Sequence, residues 1–121
     1  MSNHDETIRR FADAWGRGDT EAILGTFTED AVYHNIPMEP AEGIDAIRGF
    51  LESFLGVMAE SITFDIHHQV VDGDIVMNER TDTLVMDGRR IALPVMGVFE
   101  MEGDKIKAWR DYFDLGQFTG A

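Results

Sequence analysis

The sequence predicts an α+β fold in which about three N-terminal helices pack on one face of a curved, antiparallel or mixed β-sheet. Three observations predict it. Apolar residues recur with helical spacing only in the first half of the chain, up to about Met58. The second half alternates with a period of two and is cut by the glycine turns "VDGD", "MDGR" and "MEGDK". Finally, 121 residues suffice for one core but not two, so residues 1–121 are expected to form a single domain.

From about Asp5 to Arg17, Ile8, Phe11, Ala12 and Trp15 fall at i, i+3, i+4 and i+7, the stripe of an amphipathic helix that Gly16 and Gly18 stop. A second, short helix starts with Asp19 as its N-cap and buries Ile23, Leu24 and Phe27. "AVYHNIP" reads as a short strand ended by Pro37 and Pro40. Between Gly43 and Met58, Ile44, Ile47, Leu51, Phe54, Leu55 and Met58 mark a third helix. Strands follow at Ser61 to Asp72, Asp74 to Met86, Arg89 to Met101 and about Lys105 to Phe113, an antiparallel meander. No internal repeat, low-complexity segment or linker interrupts them.

Composition narrows the function. The 23 acidic residues against 10 basic ones give a net charge of −13, which repels nucleic acid and anionic membranes. Cysteine is absent, so thiolate catalysis, disulfides and cysteine metal sites are excluded. No stretch approaches the ~20 apolar residues of a membrane span, and "MSNHDETIRR" has no apolar segment like that of a signal peptide, so a cytoplasmic location is expected. His4, His34, His67 and His68 show no converging ligand pattern, because His67 and His68 point to opposite faces of their strand and His34 points away from Tyr33 and Asn35. Ser2, Ser53 and Ser61 lie in no nucleophile elbow. No metal and no cofactor are expected.

One stretch departs from ordinary strand patterning. In "NERTDTLVM", residues 78–86, Arg80 and Asp82 point to the same side as Val76, Leu84 and Met86, so a cation and a carboxylate share an apolar face. The pattern recurs where Asp111 lies between Trp109 and Phe113, and where Tyr33 and Asn35 share a face with Ala31. If Asp87 and Gly88 form a two-residue turn, Leu84 pairs with Ile91, Asp82 with Leu93 and Arg80 with Val95. If "EGD" is a three-residue turn, Asp111 also falls opposite Val95, leaving Arg80 and Asp111 about 10 Å apart at the backbone across one middle strand. A two-residue "EG" turn would send Asp111 to the other face.

Any one of these pairs alone is explained by a structural ion pair or by strand-end hydrogen bonding. Together they place three charges in an apolar cup, which is costly unless they pair and which often stabilises no better than apolar residues would. Chemistry accounts for them more simply. Two carboxyls sharing one cation need not both ionise, so the cup holds an acid and a base, and Tyr33 and Asn35 add a hydroxyl and an amide able to hold a water. Spacing does not say which aspartate plays which part.

The segments "VYHNIPMEPAEG", "NERTD" and "GVFEMEGDKIKAWRDYFDL", in this order and spacing, resemble the limonene-1,2-epoxide hydrolases of the NTF2-like, SnoaL-like cone-shaped fold. The similarity runs from about Asp5 to Leu115. It implies that Asp111, with Tyr33 and Asn35, holds and deprotonates a water, that Asp82 protonates the epoxide oxygen, and that Arg80 bridges the two acids. The implied product is a vicinal diol formed in one step without a covalent intermediate or cofactor. A homodimer is also implied. Walls formed by Phe54, Met58, Leu84, Leu93, Val95, Trp109 and Phe113 would favour an apolar epoxide such as a terpene, cyclic alkene or aryl oxide. Two rivals stand beside this reading: a polyketide cyclase or isomerase on the same fold, which needs no second acid bridged by Arg80, and a non-catalytic binder of small apolar ligands, which would tolerate Asp82→Asn.

Overall fold

Capping signals set the first helix, α1 (His4–Arg17). The Asn3 side chain accepts from the Glu6 N–H at 3.1 Å, and Gly18 ends the helix at φ 65°, a left-handed conformation that glycine adopts without a Cβ penalty. The computed structural model describes residues 3–119, so Ser2 lies outside the described residues. Asp19 caps α2 (Thr20–Leu24) as expected, accepting from Ala22 N–H at 3.1 Å. Phe27 opens β1 (Phe27–Asn35), which starts earlier than its local pattern indicates because the start is paired with Ile106 far along the chain. A two-residue strand, β2 (Ala41–Glu42), pairs with Val32 and Tyr33; it is too short to carry a period. The third helix, α3 (Ile44–Phe54), ends at Phe54 rather than Met58, since Leu55 turns extended and Gly56 takes φ 73°.

The strands β3 (Ser61–Asp72), β4 (Ile75–Met86), β5 (Arg89–Glu102) and β6 (Lys105–Tyr112) form the expected antiparallel meander. A short helix, α4 (Leu115–Thr119), follows it; five residues are too few to show a helical stripe. The six-stranded sheet has the order β2-β1-β6-β5-β4-β3 and is mixed, because β1 runs parallel to β6. The core lies between its concave face and the helices, where Phe11, Trp15, Ile47 and Leu51 meet Phe99 and Trp109. Phe11 packs edge-on against the Trp109 ring, centroids 5.1 Å apart.

Register decides which side chains reach that concave face. The β4–β5 hairpin turns on Asp87 (φ 51°) and Gly88 (φ 72°), and it pairs Leu84 with Ile91, Asp82 with Leu93 and Arg80 with Val95, as expected. The β5–β6 hairpin differs from the expected "EGD" turn. Glu102 pairs with Lys105 across Gly103 and Asp104, and a β-bulge then shifts the register between Glu100 and Met101, so Asp111 falls opposite Gly97 and not Val95. Because Met101 faces Ile106 while Glu100 faces Ala108, Lys107 is the extra residue. Because Lys107 bulges out of the ladder, Trp109 and Asp111 lie on the buried face; paired regularly from the same two-residue turn, both would point outward.

Candidate active site

Three strands deliver the polar groups to one place. β4 points Asn78, Arg80 and Asp82 inward by its period of two, and all three are buried. β6 supplies Trp109 and Asp111, and the parallel pairing of β1 sets Tyr33 beside Trp109 and Asn35 beside Asp111. Arg80 is at the centre. Its Nε donates to Asp82 Oδ1 at 2.7 Å and its Nη2 to Asp82 Oδ2 at 3.0 Å, a two-pronged grip. Nη2 also donates to Asp111 Oδ2, and Nη1 donates to Asn78 Oδ1 at 3.1 Å. The guanidinium carbon lies 4.5 Å from the Phe64 ring centroid and 5.6 Å from that of Trp109, so aromatic faces hold the plane. Trp109 Nε1 donates to Asp111 Oδ1 at 2.6 Å, and the Tyr33 hydroxyl donates to Asn35 Oδ1 at 3.3 Å.

This convergence needs an empty position. A Cβ at Gly97 would come within 2.5 Å of Arg80 Nη1, 2.9 Å of Asp111 Oδ1 and 3.0 Å of Asn78 Oδ1. Only hydrogen at that Cα leaves room for the three groups to meet.

Burial sets the charge states. It pushes the Asp82 carboxyl up to about 6, with the Asp111 charge adding to the effect and Arg80 opposing it. The Asp111 carboxyl is likewise raised by burial, against the pull of Arg80 and its hydrogen bonds from Arg80 and Trp109. Burial alone would lower Arg80, but Asp111 and Asp82 hold its guanidinium charged beyond the ordinary arginine range. Tyr33, raised by burial and by Asp111, stays a neutral hydroxyl. The two carboxyls around one fixed cation titrate as a pair, and one proton between them balances the charge.

A cavity of about 200 Å³ opens onto this cluster. Tyr33, Asn35, Asp82 and Asp111 reach it, and so do the expected wall residues Phe54, Met58, Leu84, Leu93, Val95 and Phe113. Met58 does so from the turn beyond α3, where it is half exposed. Trp109 does not: it is fully buried behind the wall, stacked on Tyr33 with centroids 4.3 Å apart, so its contacts are with Tyr33 and Asp111 and not with the cavity. Arg80 also stands behind the wall, 1% exposed. Sequence reading missed Trp15, Phe50, Phe64 and Phe118, which line the cavity too. Trp15 reaches the cavity from the buried stripe of α1, and Phe118 comes from the short α4. It also missed Asn78 and Gly97, although Asn78 opens the "NERTD" stretch on the same face as Arg80.

Among the described residues, no group of three His, Asp or Glu side chains is placed to hold a metal ion, and no helix is long and apolar enough to cross a membrane. The arrangement can give a proton at Arg80's one side and take one at its other, inside an apolar cup.

Residues 8–109 match the family model for the SnoaL-like domain. The chain is similar to the epoxide hydrolase EphG of Mycobacterium tuberculosis, 33% identical over 112 residues that make up 89% of this chain and 71% of that protein. It also superposes on the structure of an LEH-like epoxide hydrolase from M. tuberculosis with a TM-score of 0.85 and 30% identity, covering 95% of this chain and 86% of the other. A protein from Shewanella putrefaciens assigned as a SnoaL-like polyketide cyclase shares the fold, with a TM-score of 0.86 at 15% identity over 99% of this chain and 96% of that one.

Proposed function

The chain belongs to the SnoaL-like family, alongside the LEH-like epoxide hydrolases, and from that premise we propose that it hydrolyses a small apolar epoxide to a vicinal diol. One observation carries the reading: two carboxyls from different strands share a single buried guanidinium at the wall of an apolar cavity. A polyketide cyclase or isomerase does not need a second acid bridged to the first by an arginine, whereas acid-assisted water attack on an epoxide does.

The polar surroundings favour one assignment of roles. A held water needs two to four polar partners. Asp111 has Asn35 beside it and Tyr33 one step along β1, whereas Asp82 adjoins the apolar Leu93 and Leu84. Asp111 is therefore the base and Asp82 the acid. The water oxygen attacks an epoxide carbon as Asp111 takes its proton, the ring C–O bond breaks, and Asp82 gives its proton to the departing oxygen. Epoxide and water make diol, and one proton moves from Asp111 back to Asp82 before the next turnover. Arg80 keeps its charge throughout and stabilises whichever carboxylate is ionised. No cofactor takes part in this scheme.

A cavity of about 200 Å³ lies below the ~300 to 1,000 Å³ of drug-sized ligand sites, which favours a compact terpene, cyclic alkene or aryl oxide. The whole chain acts as one catalytic unit in this reading. A homodimer is part of it as well, with the outer sheet face that exposes Met77, Met96 and Tyr112 as the surface available for pairing.

A single turnover of a cyclic terpene epoxide in oxygen-18 water tests the proposal. Label should enter the diol without passing through the protein, and Asp111→Asn and Asp82→Asn should each lower the rate about 10²- to 10⁴-fold. Absence of diol from a panel of epoxides would hand the site to the cyclase, isomerase or binding readings.

A further inference from the structure

We propose that Asn78 is a positioning residue for Arg80, and that Gln69 and Asp5 lock Asn78 in the amide orientation this requires. The inference rests on the hydrolase reading, because it assigns Arg80 a bridge between two working carboxyls.

Hydrogen-bond direction carries the argument. A guanidinium has only donors, so the contact of Arg80 Nη1 with Asn78 at 3.1 Å fixes the amide oxygen towards Arg80. The Asn78 NH₂ must then face the other way, where it donates to Gln69 Oε1 at 3.0 Å. Gln69 in turn presents its own NH₂ to Asp5, at 2.8 Å from Oδ1 and 3.2 Å from the backbone oxygen. Turning either amide over would set donor against donor. The orientation is thus dictated from a carboxylate on α1, across β3 and β4, to the Arg80 side chain.

Geometry shows what the chain of bonds achieves. Nε and Nη2 of Arg80 are occupied by Asp82 and Asp111, which leaves Nη1 at the back of the cluster. Among the described residues Asn78 is the polar side chain that meets it, and Gly97 opposite contributes none. Without Asn78 the guanidinium is held from one edge only and can swing about its side-chain torsions. An amide suits the position because it accepts without adding charge. The charged and titratable groups around it are Arg80 and Asp82 on β4, Asp111 on β6, Tyr33 on β1, and Asp5 with Arg9 on α1. A carboxylate in place of the amide would be the third against Arg80 and would leave that cluster negative.

Two variants separate the acceptor from the charge. Asn78→Leu keeps the size and removes the acceptor; kcat should fall on the order of tenfold while KM stays within about twofold, since Asn78 does not line the cavity. Asn78→Asp restores the acceptor with a charge; kcat should recover towards wild type, but at an optimum moved to higher pH. Carbon-13 titration of the Asp82 carboxyl should move the same way in Asn78→Asp. Gln69→Leu, at a half-buried position, should reproduce a fraction of the Asn78→Leu loss even if Asn78→Leu fails to fold. Wild-type kcat in Asn78→Leu or Gln69→Leu, or an unshifted profile and titration in Asn78→Asp, would overturn the proposal. A wild-type protein that makes no diol would instead overturn the hydrolase reading, and the Asp82 titration would then decide the part of Asn78 by itself.

Discussion

A methyl group at position 97 would stand 2.5 Å from Arg80 Nη1, closer than a Cβ approaches any non-bonded heavy atom. A long arginine could ordinarily yield, but this one is tied to Asp82, Asp111 and Asn78 at once, so the whole cluster must spread. Gly97→Ala is therefore expected to cost about 1 to 3 kcal/mol of stability and on the order of 10² in diol formation, measured by thermal melting and initial rates. A stable, fully active Gly97→Ala would mean that the close meeting of these side chains is not needed. This position also shows where sequence reading stops. Tyr33, Asn35, Arg80, Asp82 and Asp111 announce themselves as polar residues at i, i+2 spacing on apolar strand faces. A glycine on a strand face carries no such mark, because its function is the absence of a side chain and only the neighbours across the sheet reveal it. Trp109 was legible as an inward residue, but not as one hidden behind Tyr33 and donating to Asp111.

Parity along β6 depends on how one residue is taken up. Lys107 is absorbed as a bulge, so Trp109 stays opposite Phe99 and Asp111 opposite Gly97. Deleting Lys107 would leave those two pairings as they are, since a two-against-one step becomes one-against-one. Inserting an alanine between Ala108 and Trp109 would turn Trp109 and Asp111 outward. The deletion variant should therefore fold and keep diol formation within about tenfold of wild type. The insertion should lose about 10²- to 10⁴-fold in rate with Asp111, and about 3 to 5 kcal/mol with the Trp109 ring. Rates and tryptophan fluorescence check both; an active insertion variant would show that the bulge does not set the face. Elements of regular period were readable in advance, which is why β3 matches its expected limits and α1 begins within a residue of them. The bulge was not, as Lys107 and Ala108 have no compositional signature, and β2 and α4 are too short to show a period. The parallel pairing of β1 with β6 was equally silent, being a contact between the two ends of the chain.

Folding buries this carboxyl pair inside a molecule of net charge −13, and that links stability to pH. Asp82 is pushed up to about 6 in the fold, against about 3.9 for an unfolded aspartate. Between those values the folded state keeps a proton that the unfolded chain releases, so stability falls as pH rises; a gap of two units is worth on the order of 3 kcal/mol. Asp111, also raised by burial, acts in the same direction. Asp5 and Glu21, lowered by hydrogen bonds from Gln69 and Arg48, have the opposite sign, but their contribution is lost only at low pH and is complete above about pH 5, where the unfolded chain has ionised. Above pH 5 the raised site carboxyls go on lowering stability as pH rises. Melting temperatures of the wild type should fall by several degrees between pH 5 and 7.5, and Asp82→Asn should flatten that slope whatever its effect on the midpoint. The competing cause is repulsion among surface carboxylates, which salt screens while leaving a buried pair nearly untouched. A slope that persists in 1 M salt and flattens in Asp82→Asn assigns the pH dependence to the buried pair. One that vanishes in salt and survives the substitution assigns it to the surface, and the Asp82 carboxyl would then be ionised in the resting protein and unable to serve as the acid.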